Sequence, residues 1–153
     1  MSKVLDDIKK RAVKLNKHIV LPEGEDKRVV EAAAVSVKEG VARITLLGNP
    51  EEIKKNNPGT DLSGVTIIDP KTYEKTEEYA QLLTELRKAK GMTIELARET
   101  LAKDYTMYGA LMLKAGDVDG MVSGACHSTA NTLRPGLQVI KTAKGTPIVS
   151  AYF

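Results

Sequence analysis

Apolar residues repeat along this chain with two alternating periods, one typical of helices and the other of short buried strands. Short apolar runs predict strands at 18–22, 42–47, 65–68, 121–123 and 147–153. Helical spacing predicts helices at 4–15, 27–39, 51–56, 72–89, 94–102, 105–115 and 133–141. Because strands alternate with helices, we expect an α/β fold with a largely parallel sheet flanked by helices.

Several predicted boundaries carry the residues that helix ends prefer. Asp26 and Thr93 stand where the N-caps of the helices 27–39 and 94–102 would lie. Gly40 and Gly91 follow helical segments and are expected to end them. Pro135 is expected either to begin or to kink the helix 133–141, because a proline disfavours helical geometry in the residue before it.

Small residues follow several of the predicted strands. Gly24, Gly48 and the loop at Gly124 all lie at such strand ends. In parallel sheets, ligands bind beyond the carboxyl ends of the strands. We therefore expect a functional site at this edge.

The loop after the fourth predicted strand is the segment with the most chemistry. Its polar side chains are those of His127, Ser128, Thr129, Asn131, Thr132 and Arg134. Residues 120–153 contain no acid, and their formal charges are those of Arg134, Lys141 and Lys144. Hydroxyls, backbone N–H groups and a guanidinium at a helix entrance suit a phosphate-like anion. The alternative is that Ser and Thr only cap the next helix.

Composition limits the classes of function. The 153 residues suffice for one domain, or for one domain and a fragment. The 23 basic and 20 acidic side chains give a net charge of +3, which does not favour nucleic-acid or membrane binding. The single cysteine, Cys126, excludes an internal disulfide, and we expect a cytoplasmic protein because no signal peptide or membrane-length apolar run is visible.

Other motifs do not point to a cofactor or a metal. Neither Gly-x-Gly-x-x-Gly nor Gly-x-x-x-x-Gly-Lys-Ser/Thr occurs, so both common nucleotide loops are missing. His18 and His127 are far apart in sequence and there is one cysteine, which argues against zinc. Cys126 beside His127 is read as a small loop residue rather than a nucleophile, because adjacent side chains seldom face each other.

Three segments resemble one enzyme family. Residues 123–135, Ser-Gly-Ala-Cys-His-Ser-Thr-Ala-Asn-Thr-Leu-Arg-Pro, are similar to the signature segment of phosphate acetyltransferases. His-Ile-Val-Leu-Pro-Glu-Gly at 18–24 and the approach 108–120 resemble other parts of the family. The resemblance runs along all 153 residues, and phosphate butyryltransferases are the close alternative. Asn131 departs from the pattern, since many members have Asp there.

The resemblance implies a reaction and a fold. The family interconverts acetyl-CoA plus phosphate with acetyl phosphate plus CoA, and uses CoA as a substrate without a redox cofactor. Its members have two α/β domains that resemble the isocitrate and isopropylmalate dehydrogenases, and we expect a homodimer for the full-length enzyme. By this resemblance, we expect residues 1–153 to form one truncated α/β domain. We expect the second domain and a C-terminal return segment, with a Ser-Arg pair and an Asp base, to be absent, and this chain alone to have little activity.

The resemblance also assigns site residues. Ser128, Thr129 and Arg134 are expected to hold phosphate or acetyl phosphate, with Arg134 as the catalytic residue. Arg87 is expected near the CoA, although a solvated cation at a helix end is an equal alternative. A different class of function stays open, namely a stand-alone regulatory module that binds phosphate or CoA without chemistry. A metal-dependent dehydrogenase half is disfavoured, because the chain lacks a clustered set of Asp residues.

Overall fold

Four short parallel strands form the centre of the protein. The computed structural model describes residues 3–146. The strands are β1 (His18–Leu21), β2 (Arg43–Leu47), β3 (Thr66–Ile68) and β4 (Gly120–Met121). They lie in the order β3-β2-β1-β4, and each neighbouring pair is parallel. The predicted α/β class with a parallel sheet is confirmed.

Helices connect and cover these strands. They are α1 (Lys3–Leu15), α2 (Lys27–Lys38), α3 (Pro50–Asn56), α4 (Thr76–Arg87), α5 (Ile94–Lys103), α6 (Tyr105–Ala115) and α7 (Thr129–Pro135). A 3₁₀ turn, Lys88–Lys90, follows α4, and a π-helical turn, Gly136–Ile140, follows α7. The predicted caps are confirmed, since Asp26 accepts from the Arg28 amide at 2.9 Å and Thr93 from the Leu96 amide at 3.2 Å.

The alternation of side chains along the strands divides the core in two. Val20 and Leu47 point into a core that α4, α5 and α6 complete. Leu21 and Leu46, their neighbours in sequence, pack on the other face. That second core is completed by α2 and α3, so helices cover both faces of the sheet.

The helix predicted at 72–89 begins later, at Thr76. The preceding residues form a turn in which the Lys71 amide donates to Asp69 Oδ1 at 2.9 Å. The Thr76 hydroxyl then donates to the carbonyl of Pro70 at 2.8 Å. An Asp side chain that bonds to the backbone two residues later stabilises a turn instead of a helix.

Two boundaries near the predicted site also differ. The helix predicted to begin at Leu133 begins at Thr129, because Ser128 caps it, and Pro135 lies inside it. The strand predicted at 121–123 is Gly120–Met121, and Gly124 has a φ of +114°, a conformation that favours glycine. The strand predicted at 147–153 lies outside the described residues.

Two aspartates fix the entrance to β4. Asp117 accepts from the Tyr79 hydroxyl at 2.7 Å and pairs with Lys75 at 2.5 Å, which connects it to α4. The Tyr79 ring meets that of Tyr108 on α6 edge to face, with centroids 5.1 Å apart. Asp119 accepts from the backbone amide of His18 at 2.8 Å. These contacts hold the start of β4 beside β1.

Within residues 3–146, no helix is long and apolar enough to cross a membrane.

Gly24 provides a test of the packing at the carboxyl end of the sheet. A Cβ at this position would collide with the Leu47 carbonyl oxygen, which the Gly24 amide contacts at 3.2 Å. We expect Gly24→Ala to lower the free energy of unfolding by about 1–3 kcal/mol, because backbone must move. Gly59→Ala is the matched control, since a Cβ there meets nothing within 4 Å. Urea unfolding measures the free energy of unfolding of the two variants. Equal losses in Gly24→Ala and Gly59→Ala would contradict the close packing at Gly24.

Candidate functional site

One buried carboxylate, that of Glu23, organises the loop that follows β4. Glu23 comes two residues after the end of β1, and the loop leaves the carboxyl end of β4. Because β1 and β4 are adjacent and parallel, both segments emerge at the same edge of the sheet. The Glu23 residue is 1% exposed, and its two oxygens face the loop backbone.

The Glu23 carboxylate accepts hydrogen bonds from three successive backbone amides. Oε2 accepts from Gly124 at 2.8 Å and from Ala125 at 2.9 Å. Oε1 accepts from the Cys126 amide at 3.0 Å and lies 2.8 Å from His127 Nδ1. These bonds satisfy a charge that would otherwise be costly to bury.

These contacts determine the protonation of Glu23. Burial alone would raise its pKa, since it disfavours the charged form. Hydrogen bonds from Cys126, Ala125, His127 and Gly124 outweigh burial and lower the pKa to about 2. Glu23 is therefore ionised at neutral pH.

The loop is also held from its carbonyl side by Arg28, in the first turn of α2. Its guanidinium contacts Asp26 through two hydrogen bonds, of 3.0 and 2.6 Å. The same Nη2 atom donates to the carbonyl of Ala125 at 2.7 Å. Residues 23–28 thus contact the loop both at its amides, through Glu23, and at the Ala125 carbonyl, through Arg28. These contacts restrict the conformation of the loop.

This arrangement corrects one part of the sequence-based interpretation. The lack of acids in residues 120–153 favoured an anion site in this loop, because a nearby carboxylate would repel the ligand. The structure shows that Glu23 occupies the amides of Gly124, Ala125 and Cys126. The acid was missed because it lies more than 100 positions earlier, although its place after β1 put it at the edge where ligands were expected.

The predicted substrate residues lie beyond this occupied loop. Ser128 is exposed and caps α7, with its Oγ accepting from the Asn131 amide at 3.3 Å. The capping role considered as the alternative is therefore present. Thr129 is exposed at the first position of α7.

Arg134 is exposed in the last turn of α7. Five residues of α-helix turn the chain so that Thr129 and Arg134 are about 140° apart around the axis. α7 and the π-helical turn pack on α6, and the π-helical turn also contacts α4. The hydroxyls and the guanidinium therefore lie on different sides of one exposed helix, and their joint binding of an anion stays a prediction.

Arg87 has a feature that its sequence position did not reveal. It is the last residue of α4 and is half-buried. Its Nε atom is buried and has no hydrogen-bond partner among the described residues, and the same holds for Ser123 Oγ at the end of β4. Buried polar groups are almost always bonded, so both atoms are candidates for contact with a ligand or with other parts of a protein.

Cys126 does not have the character of a nucleophile. Desolvation and the nearby carboxylates of Glu25 and Glu23 raise the pKa of its thiol to about 12. Its Sγ lies 3.8 Å from His127 Nδ1, while Glu23 Oε1 is closer to that nitrogen, at 2.8 Å. The thiol is therefore protonated at neutral pH, in agreement with its interpretation as a small loop residue.

Comparisons with known proteins agree on one family. Residues 3–153 match the family model described as phosphate acetyl/butaryl transferase. The chain is 54% identical over 149 residues to the phosphate acetyltransferase of Acetivibrio thermocellus, which covers 97% of this chain and 45% of that protein. It is 50% identical over 145 residues to the phosphate acetyltransferase of Escherichia coli, covering 93% of this chain and 20% of that protein.

Solved structures give the same result. A phosphotransacetylase from Streptococcus pyogenes superposes with a TM-score of 0.87 at 40% identity, covering 95% of this chain and 45% of that one. The EutD phosphotransacetylase from Staphylococcus aureus gives a TM-score of 0.86 at 37% identity, with 95% and 44% covered. The chain thus spans less than half the length of the curated relatives it matches.

The role of Glu23 is testable through stability. Glu23→Gln replaces a charged acceptor by an amide whose NH₂ group must face loop N–H donors. We expect the free energy of unfolding to fall by about 2–4 kcal/mol, because buried donors lose their partner. Glu25→Gln, at a side chain that is 58% exposed, should change it by less than about 0.5 kcal/mol. Chemical denaturation measures the free energy of unfolding of both variants. Similar losses of stability in the two variants would refute the organising role of Glu23.

The contribution of Glu23 should depend on pH. Its pKa is about 2 when folded, against an ordinary value of 4.5, so folding favours the ionised form. The resulting stabilisation, about 3 kcal/mol, is fully present above the unfolded pKa and is lost as pH falls toward the folded one. The stability difference between the natural chain and Glu23→Gln should shrink below pH 4.5. A difference that stays constant down to pH 2 would contradict this.

Proposed function

The chain belongs to the phosphate acetyl/butaryl transferase family, and from this premise we propose that it serves the transfer of an acetyl group between CoA and phosphate. The observation that carries the proposal is the loop 124–127, held by Glu23 and Arg28, which leads directly into exposed Ser128, Thr129 and Arg134. Relatives named phosphate acetyltransferase favour acetyl over butyryl as the acyl group.

The reaction requires stabilisation of negative charge at two places. The CoA thiol loses its proton to a base, its sulfur attacks the carbonyl carbon of acetyl phosphate to form a tetrahedral oxyanion, and the bond to the phosphate oxygen then breaks and releases phosphate. We assign Arg134 to the phosphate, because a guanidinium can hold two of its oxygens at once. Ser128 and Thr129, of which Thr129 lies about 140° around α7 from Arg134, are assigned as hydroxyl donors to acetyl phosphate. Donors that are already in place stabilise developing charge without reorganisation.

The loop amides are not assigned to substrate. Glu23 already occupies them, and its carboxylate would repel a phosphate placed at Gly124 or Ala125. The phosphate is therefore expected further along α7, toward Arg134. This distinguishes the proposed site from one built on backbone amides.

Arg87 is assigned to CoA. Its buried Nε atom lacks a partner among residues 3–146, which supports a ligand contact over a purely solvated helix-end cation. Acyl transfer changes no oxidation state, so we propose that CoA is a substrate and that no redox cofactor takes part. We further propose that the fold corresponds to the first domain of the isocitrate and isopropylmalate dehydrogenase architecture, in a cytoplasmic, homodimeric enzyme.

Arg134→Ala tests the proposed phosphate site. The assay uses a chimera in which this chain replaces the matching 45% of the Acetivibrio thermocellus phosphate acetyltransferase. We expect a loss of acetyl phosphate formation by about 10²–10³-fold, the effect of removing one donor to a developing oxyanion. Arg134→Lys should recover only part of the rate, because the charge returns without the planar fork.

Lys144→Ala is the matched control, since Lys144 is an exposed cation after the π-helical turn. Its rate should stay within a few-fold of that of the unmodified chimera. Equal effects of Arg134→Ala and Lys144→Ala would show that Arg134 is a solvated residue, and would refute the assignment. A chimera that transfers butyryl groups faster than acetyl groups would overturn the choice of acyl group.

Arg87→Ala tests the CoA assignment in the same chimera. We expect KM for acetyl-CoA to rise by about tenfold or more while KM for phosphate stays unchanged, since a charged hydrogen bond contributes about 1.5–3 kcal/mol. Lys88→Ala, in the exposed turn that follows, is the control. A change in KM for phosphate instead would place Arg87 at the other substrate.

A further inference from the structure

We propose that Glu23, Cys126 and His127 form a binding site for Zn²⁺, with a water molecule as the fourth ligand. Glu23 follows β1, and Cys126 and His127 belong to the loop after β4, so the parallel pairing of the strands brings them together. The inference rests on the geometry of these donors alone. It does not depend on the proposed acetyl transfer.

The separations between the donor atoms fit a tetrahedral ion. Cys126 Sγ lies 3.5 Å from Glu23 Oε1 and 3.8 Å from His127 Nδ1. Zinc bonds of about 2.3 Å to sulfur and about 2.0–2.1 Å to nitrogen or oxygen separate such ligands by about 3.6 Å. The one pair that must widen is Glu23 Oε1 and His127 Nδ1, which are 2.8 Å apart.

Each donor has an electron pair to give. Glu23 Oε1 accepts one backbone amide and contacts His127 Nδ1, so a metal can replace that second contact while the amide bonds remain. His127 then binds through Nδ1 and carries its proton on Nε2, which lies 3.9 Å from Glu25. The Cys126 thiol loses its proton to solvent, so one proton is released for each ion bound.

The chemistry and exposure of the cluster favour zinc. One thiolate, one imidazole and one carboxylate are a set that Zn²⁺ accepts, whereas Mg²⁺ and Ca²⁺ prefer oxygen alone. Glu25, whose Oε1 lies 3.5 Å from Cys126 Sγ, adds a second negative charge that attracts a divalent cation. The His127 side chain is 33% exposed and Cys126 is exposed, so solvent reaches these two ligands.

Zinc binding is measured on the chain without a histidine tag, by competition with a chromogenic chelator. We expect one Zn²⁺ per chain, and at least about tenfold weaker binding in Cys126→Ser and in His127→Ala. His18→Gln is the control, because His18 contacts Thr45 Oγ1 at 2.8 Å, near the opposite end of β1. Its affinity should equal that of the natural chain.

Two further readouts exclude binding elsewhere on the surface. Co²⁺ in place of zinc should show thiolate charge-transfer absorption, which Cys126→Ser abolishes, and zinc should protect Cys126 from alkylation. Circular dichroism confirms that the variants fold. Zinc bound equally well by Cys126→Ser or His127→Ala, loss of binding in His18→Gln, or no binding by the natural chain would each overturn the proposal. None of these outcomes bears on acetyl transfer.

Discussion

A buried negative charge is the constraint on which this region of the protein depends. Glu23 cannot be buried as a carboxylate unless several donors meet it, and the donors here are consecutive amides of the loop after β4. The loop in turn has no regular secondary structure to satisfy those amides. The carboxylate and the loop amides therefore satisfy each other's hydrogen-bonding requirements. Their contact joins the two strand ends at the edge of the sheet where α/β proteins bind ligands.

This pairing changes how an anion would be recognised. Loop amides of the kind found in phosphate-binding sites are present, but an internal carboxylate already fills them. In the proposed site, recognition of phosphate falls to side chains further along the chain, and the field of Glu23 and Glu25 calls for a compensating cation. We propose Arg134 for that role, in the helix that Ser128 caps. The same field favours a cation within the loop, where Cys126 and His127 add softer ligands.

The supports of the site are spread over the fold. Asp117 and Asp119 fix the start of β4 through α4 and β1, and the edge-to-face contact of Tyr79 and Tyr108 joins α4 to α6. α6 then carries α7 and the π-helical turn on its surface. These contacts connect the segment that holds Arg134 to the sheet and to α4 and α6. They support the region to which we assign acyl transfer.

The sequence alone determined the class of fold, most helix and strand positions, and the importance of the loop after β4. Hydrophobic periodicity and helix caps involve residues that are close in sequence, so the sequence shows them directly. It placed the caps at Asp26 and Thr93 correctly, since an N-cap bonds to amides only two or three residues away. It missed the late start of α4, where the turn at Asp69 competed with the helix. The partner of the loop and the Glu23–Cys126–His127 cluster were decided only by the tertiary structure, because the parallel pairing of β1 and β4 joins residues more than 100 positions apart, and no local pattern records that contact.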